Sequence, residues 1–238
     1  MTSKEPFQFE KSFEVLSFQI DPFGKLRWSA LGDLMQEVAW KHADSRDFGQ
    51  SLFDKGYMWV LSRMHIKVQR MPSWGDQITV KTAGRGISKI FALREFLVED
   101  AEGNPIAESM SAWLLLDVRS KRPQRPNQVL PPELFSENVD QGLLPEKLDT
   151  SDLPEKYAEL TVRPFDLDMN NHVNNVSYIR WVEDFCISEG INFSEFLINY
   201  ISEAMLDDRI LLSAARQNQG FLLSGSSDHK SVFLVSVK

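Results

Sequence analysis

The sequence predicts an α+β protein built from two similar halves, each a helix packed on an antiparallel sheet. Three observations carry this. The order strand, helix, four strands occurs twice. After the helix of each half the four strands follow one another consecutively, which favours antiparallel pairing. Two anchors also align the halves: Asp21 before the first helix corresponds to Asp168 before the second, pairing Leu31 with Tyr178 and Met35 with Val182. Trp74–Ile78 then corresponds to Leu206–Ile210, and the offset drops by 15 residues between the anchors, which a longer loop after the first helix explains.

In the first half, Phe13–Ile20 is an apolar-rich run ended by the turn Asp21-Pro22-Phe23-Gly24, which predicts a strand. Leu31, Leu34, Met35, Val38 and Ala39 recur at helical spacing, with Ser29 as the expected N-cap and Asp33 in the first turn. A polar loop at Ala43–Lys55 leads to strands at Met58–Val68, Gln77–Thr82, Lys89–Glu99 and Pro105–Val118. Gly84-Arg85-Gly86 lacks the strand–loop–helix context of a phosphate loop and reads as a bend or bulge. From Arg119 to Asp152 the chain is rich in Pro, charge and Asn/Gln, as in a linker. The division expected is residues 1–125, a connector at 126–152, and 153–238. The second half repeats the order with a strand at Tyr157–Val162, a polar turn at Pro164–Asn171 and a helix carrying Val176, Ile179, Val182, Cys186 and Ile187. Strands resume at Phe196–Met205, Arg209–Ala215, Gly220–Ser224 and Ser231–Val237.

Composition narrows the function. The chain has 238 residues, 26 basic against 34 acidic for a net charge of −8, which disfavours nucleic acid as a partner. The single cysteine, Cys186, can close no internal disulfide and build no thiolate zinc site, which fits a reducing, cytoplasmic setting or the mature form of an imported protein. No apolar stretch approaches the roughly 20 residues that span a bilayer. His42, His65 and His229 show no metal-ligand spacing, and no cofactor is expected. The 16 Phe and 6 Trp are many for an acidic soluble chain and suit either a core or an apolar pocket.

Where the halves differ, the second half gains chemistry. Its helix entry reads Asp166-Leu167-Asp168-Met169-Asn170-Asn171-His172-Val173-Asn174-Asn175, against Asp21-Pro22-Phe23-Gly24-Lys25 in the first. Glu203 stands, on the strand expected at Phe196–Met205, where the first half carries Met71. A carboxylate can attack a carbonyl or activate water, a histidine can move protons near neutral pH, and a carboxamide or helix-start N–H can hold an oxyanion. The same residue types equally make a plain Asx-rich helix entry.

The run from Arg163 to Trp181, with the pattern D-x-D-x-N-x-H-V-N-N-x-x-Y-x-x-W, closely resembles the acyl-acyl carrier protein (acyl-ACP) thioesterase family, and the resemblance extends to Tyr200–Glu203. The resemblance implies two tandem hotdog domains and hydrolysis of the thioester between a fatty acyl chain and the phosphopantetheine arm of acyl carrier protein. It carries catalytic roles onto Asp168, Asn170, His172 and Glu203. Plant members of the family usually carry a cysteine after that glutamate; here the position is Ala204, which leaves a carboxylate mechanism. Glu203 would attack the carbonyl or activate water, His172 share its proton, Asp168 orient His172, and Asn170 hold the carbonyl or water. The first half would then hold the acyl chain, with Met35, Val38, Trp59, Leu61 and Met64 as candidate lining, each of which also suits a plain core position. An acidic carrier protein needs local positive charge to dock, and the densest basic run is Arg119, Lys121, Arg122 and Arg125, which is equally an ordinary solvated loop. Two alternatives stay open, a hotdog thioesterase acting on acyl-CoA and a non-catalytic acyl-binding module. Two hotdogs in tandem mimic the usual dimer, so either a monomer or a homodimer suffices.

Overall fold

In the computed structural model, residues 6–130, 145–149, 156–228 and 230–238 are described. Ten strands, joined along their edges, form one antiparallel sheet in the order β1-β3-β4-β5-β2-β8-β11-β10-β9-β7, with the two-residue β6 (Pro123–Gln124) on β5. The first five are β1 (Phe9–Glu14), β2 (Tyr57–Val68), β3 (Gln77–Ser88), β4 (Phe91–Asp100) and β5 (Pro105–Asp117). The last five are β7 (Lys156–Thr161), β8 (Glu195–Tyr200), β9 (Arg209–Arg216), β10 (Phe221–Ser227) and β11 (Lys230–Val237). The order is palindromic about the β2–β8 seam, where Arg63 faces Asn199 and Lys67 faces Glu195. Each half is therefore the α+β unit expected, a sheet wrapped on one long helix, α1 (Trp28–Asp44) or α4 (Asn175–Ser188).

Both helices lay apolar faces on the sheet. Leu31, Leu34, Met35, Val38 and Ala39 of α1 are buried, as are Val176, Ile179, Val182 and Cys186 of α4, and each large side chain so buried contributes about 1.5–3 kcal/mol. The helices also meet each other. A Cβ on Gly32 would lie 3.2 Å from Ile179 Cδ1, so the missing side chain sets how closely they approach.

Several expectations are corrected. The first strand lies earlier than Phe13–Ile20: β1 follows the alternation Phe9, Lys11, Phe13 and ends where its partner β3 begins, and Ser17–Gln19 forms a 3₁₀ turn. Ser29 is not the N-cap of α1; Arg27 occupies that position without a capping side chain. The cap comes instead from α4, where the buried Glu183 carboxylate accepts Trp28 N–H (2.8 Å), Ser29 N–H (3.2 Å) and the Ser29 hydroxyl (2.8 Å). The loop at Ala43–Lys55 contains a short helix, α2 (Gln50–Asp54). Glu203 is not on a strand: β8 ends at Tyr200 because Ile201 and Ser202 N–H both turn to one acceptor, Val232 O, and the chain then leaves the sheet. The bulge expected at Gly84-Arg85-Gly86 is present as a register shift between Gly84 and Ile87 against β4.

The expected connector at 126–152 is described at 126–130 and 145–149; its remaining residues, like His229, lie outside the described residues. Both described pieces pack. Pro126–Val129 forms a helical turn, α3, that brings Leu130 into a cluster with Ala43, Phe48, Leu52 and Leu115. Further on, Leu148 N–H and Glu146 C=O bond the Asn199 carboxamide at the seam (2.8 and 3.0 Å).

Glu183→Ala is expected to cost about 2–3 kcal/mol in urea denaturation, since three buried donors lose their acceptor, and Glu183→Gln less. Burial pushes the Glu183 carboxyl above its ordinary value, against the pull of its Ser29 and Trp28 donors. An acid with a raised folded-state pKa adds stability fully below its ordinary range and loses it as pH rises through the raised value. Wild-type stability should therefore fall across that window relative to Glu183→Gln, as pH-dependent denaturation will read.

Candidate active site

The turn before α4 is an Asx turn built on Asp168. Its Oδ1 accepts Asn170 N–H (2.8 Å) and His172 N–H (3.2 Å), while Asp168 N–H donates to His172 C=O (2.8 Å). Asn171 takes the left-handed conformation, φ 61°, that closes the turn. The first half makes the same turn: Asp21 Oδ1 accepts Phe23 and Lys25 N–H (2.8 and 2.9 Å), with Gly24 at φ 77°. Asn170 and His172 thus occupy the positions of Phe23 and Lys25. The opposing loop is duplicated too. Val173 N–H donates to Ala204 C=O (3.1 Å) as Leu26 N–H does to Pro72 C=O (2.8 Å). Asp208 and Asp76 carboxylates accept Met205 and Ser73 N–H at 2.9 Å each. That pairing sets Glu203 against Met71.

Because Val173 is tied to Ala204, the neighbouring side chains meet. His172 Nδ1 lies 3.6 Å from Glu203 Oε1, with His172 25% and Glu203 54% exposed. This is an ion-pair distance looser than a hydrogen bond. Asp168 acts on His172 through its backbone rather than its ring. The Asn170 carboxamide leans on Asp168 Oδ2 (3.3 Å).

Behind the turn stands a buried support. Asp166 accepts Arg163 N–H (2.7 Å), Trp181 Nε1–H (3.2 Å) and the Arg180 guanidinium, and its carbonyl accepts Asn174 N–H (2.8 Å) and the Ser177 hydroxyl (2.9 Å). Asn174 caps α4 through Val176 N–H (3.0 Å). Tyr178 OH accepts Ala204 N–H (3.3 Å), and Tyr200 OH donates to Asn175 C=O (3.1 Å). Burial pushes both phenols far up, so both stay protonated. In the sequence Asp166 is one acid of the pattern, and Tyr178 is its tyrosine and the match of Leu31; the supporting role of neither is legible there.

A cavity of about 750 Å³ opens on the other side of the turn. Asp168, Met169, Asn170, Asn174 and Asn175 form one wall, and α1, β2 and β4 contribute much of the rest. Of the extra residues of the first half, Arg46, Phe48, Gly49, Gln50, Leu52 and Phe53 line it. Of the candidate lining, Trp59 faces this cavity and fixes its indole on Phe48 C=O (3.1 Å). Met35 and Val38 are sealed in the core, and Leu61 and Met64 border a separate void of about 20 Å³. His172 and Glu203 are not among the residues that line the cavity.

Arg119, Lys121, Arg122 and Arg125 are exposed around β6, and among the described residues none forms an ion pair. Lys121 Nζ reaches Met58 Sδ (3.8 Å), and Met58 lines the cavity, so the basic turn adjoins its wall. Among the described residues, no group of three or more His, Cys, Asp or Glu is placed to hold a metal ion, and no helix is long and apolar enough to cross a membrane.

Residues 6–134 match the acyl-ACP thioesterase N-terminal domain, and residues 150–231 match the C-terminal domain. The chain belongs to the acyl-ACP thioesterase family. It is 30% identical over 84% of its length to a dodecanoyl-[acyl-carrier-protein] hydrolase of Umbellularia californica, covering 57% of that protein. It is 28% identical over 86% of its length to oleoyl-acyl carrier protein thioesterase 2 of Arabidopsis thaliana, covering 62%. The chain thus spans about three fifths of the length of these curated relatives. The 12:0-ACP thioesterase structure from Umbellularia californica superimposes with a TM-score of 0.80 at 26% identity, covering 97% of this chain and 96% of that one. An acyl-ACP thioesterase structure from Bacteroides thetaiotaomicron shares the fold, with a TM-score of 0.84 at 24% identity and 96% coverage of each chain.

Within this family fold, Ala204 is buried, and Cys186 packs in α4 with its thiol pushed up to about 12 by burial and by Glu183. No thiolate is available at the turn. If Asp168 is first a turn-former, Asp168→Ala and Asp21→Ala should destabilise alike, by about 1–2 kcal/mol each, in chemical denaturation. Asp168→Asn, which keeps the Oδ1 acceptor, should cost less than half as much.

Proposed function

We propose that the chain hydrolyses the thioester linking a fatty acyl group to the phosphopantetheine arm of acyl carrier protein, releasing the free acid. The observation that carries this is a single turn that walls an acyl-sized cavity with Asn170 and also holds His172 against Glu203. In this reading the first half is the container and the second half does the chemistry. A bound water beside the half-exposed Glu203 loses a proton to the carboxylate, shared with His172, and adds to the thioester carbonyl. The Asn170 Nδ2–H donors hold the oxyanion. Collapse breaks the C–S bond, and His172 returns the proton to the departing thiolate. Asp168 positions both side chains by fixing the backbone at 170 and 172. The exposed cations at 119–125, next to Met58, are the docking surface for the acidic carrier. The single buried thiol supports a cytoplasmic setting.

The reading is tested by thiol release from matched acyl-ACP and acyl-CoA substrates. The expected result is a higher kcat/KM for acyl-ACP, and equal values or a preference for CoA would overturn the carrier assignment. Glu203→Ala and His172→Ala are each expected to lower kcat by about 100-fold or more while leaving the thermal midpoint within a few degrees. Neutralising Arg119, Lys121, Arg122 and Arg125 together should raise KM for acyl-ACP about tenfold at low ionic strength and much less at high salt, with acyl-CoA little affected.

A further inference from the structure

The repeat isolates a contact that the reactive half makes and the first half cannot. In both halves a carbonyl ties the loop to the helix entry: Val173 N–H donates to Ala204 C=O (3.1 Å) and Leu26 N–H to Pro72 C=O (2.8 Å). The N–H side of the same residue differs. Pro72 has no N–H to satisfy. Ala204 has one, fully buried, and donates it to the Tyr178 hydroxyl (3.3 Å). The residue matching Tyr178 in α1 is Leu31, buried and without an acceptor in its side chain. Donor and acceptor thus enter together, in the half where Glu203, directly before Ala204, replaces Met71.

The contact bears on Glu203. Among the described residues, its carboxylate meets one charged partner, His172 Nδ1 at 3.6 Å, and accepts no hydrogen bond. Its position therefore depends on how the backbone is held on either side. On one side Ser202 N–H is fixed on Val232 C=O. On the other, the Val173 tie acts on the carbonyl of Ala204 and leaves the 203–204 peptide free to rotate. The Tyr178 hydroxyl removes that freedom by holding the N–H of this peptide, whose carbonyl belongs to Glu203. In the first half the ring of Pro72 restricts the same segment covalently. The phenol is itself rigid: its ring meets Trp181, Tyr200 and Phe233 edge-on, with centroids 5.1, 5.6 and 5.4 Å away. Burial, together with the carboxylates of Glu203, Asp208 and Asp168, raises its pKa. The oxygen stays neutral and accepts Ala204 N–H without placing a second negative charge beside Glu203.

We propose that Tyr178 is a positioning residue of the reaction: its hydroxyl holds the 203–204 peptide and thereby sets the Glu203 carboxylate against His172. This rests on the thioesterase reading, in which Glu203 takes the proton of the attacking water. Tyr178 touches no reacting atom in this role and acts through Glu203 alone. Leu31 and Pro72 are the unreactive version of the same frame, in which the loop carries Met71 and nothing has to be aimed.

The test is a double-mutant cycle read by thiol release from acyl-ACP, combining Glu203→Ala with Tyr178→Phe, which removes one oxygen and leaves the ring packed. Alone, Tyr178→Phe should lower kcat about 10- to 30-fold while KM stays within about twofold. In the Glu203→Ala background the same change should alter the residual rate less than about twofold, because the group being placed is gone. A wild-type kcat in Tyr178→Phe overturns the proposal, as does a loss carried by KM. So does an equal fall in the Glu203→Ala background, since the hydroxyl would then act elsewhere. Should Tyr178→Phe fail to fold, the ester analogue of the 203–204 peptide reads the same contact from the donor side. It is made by incorporating the α-hydroxy analogue of alanine at position 204 and keeps every side chain. It should show the same fall in kcat, and a wild-type kcat there overturns the proposal. The two levels separate cleanly. Full turnover in Glu203→Ala rejects the catalytic reading itself, whereas full turnover in Tyr178→Phe beside an inactive Glu203→Ala rejects the positioning role alone.

Discussion

Much of this molecule depends on one carboxylate crossing between its halves. Glu183 of α4 takes the first N–H groups of α1, which has no cap of its own at Arg27. A helix start left buried without acceptors would be costly, so α1 can occupy its place only with α4 beside it. By the repeat, the residue of α1 equivalent to Glu183 is Gln36. It does not return the favour: α4 caps itself with Asn174, and Gln36 lines the cavity instead. The exchange is one-sided, and that asymmetry leaves the entry of α4 facing open space.

The same duplicated frame explains how a container and a reactive turn arise from one unit. Asp21 and Asp168 build equivalent turns, and Asp76 and Asp208 brace equivalent loops. The frame is indifferent to chemistry. Three positions make the difference, where Phe23, Lys25 and Met71 are matched by Asn170, His172 and Glu203. The first half departs in the other direction. Its longer connection between helix and strand supplies Arg46, Phe48, Gly49, Gln50, Leu52 and Phe53 to the cavity, space that the shorter second half does not enclose.

The repeat was legible in the sequence because its anchors are Asp residues with backbone duties, and such duties tolerate little change in spacing. The turn residues were legible because carboxylate, carboxamide and imidazole cluster within a few positions. What could not be read was whatever depends on distant chain. Ser29 is a reasonable local cap, yet a carboxylate 154 positions away took the role. Met35 and Val38 have the right spacing for a tunnel and the right spacing for a core; both are fully buried in the core. Arg94 sat in a strand of alternating pattern, where a charged residue reads as solvent-facing, and nothing local announced that it turns inward beside His42.

The carboxylates beside the turn have a consequence for turnover under the proposed reaction. Hydrolysis converts a neutral thioester carbonyl into a carboxylate at the end already bordered by Asp168, Asp33 and Glu37. Partial burial raises the Asp33 carboxyl against the pull of Arg180. A newly formed carboxylate there adds to that negative charge, which is only partly offset by the pairing of Glu37 with Lys11, while Arg180 is committed to Asp166. The substrate, being uncharged at that atom, feels none of this. The acidic end therefore discriminates between the two states of the same chain and favours departure of the product over its retention, without any moving part.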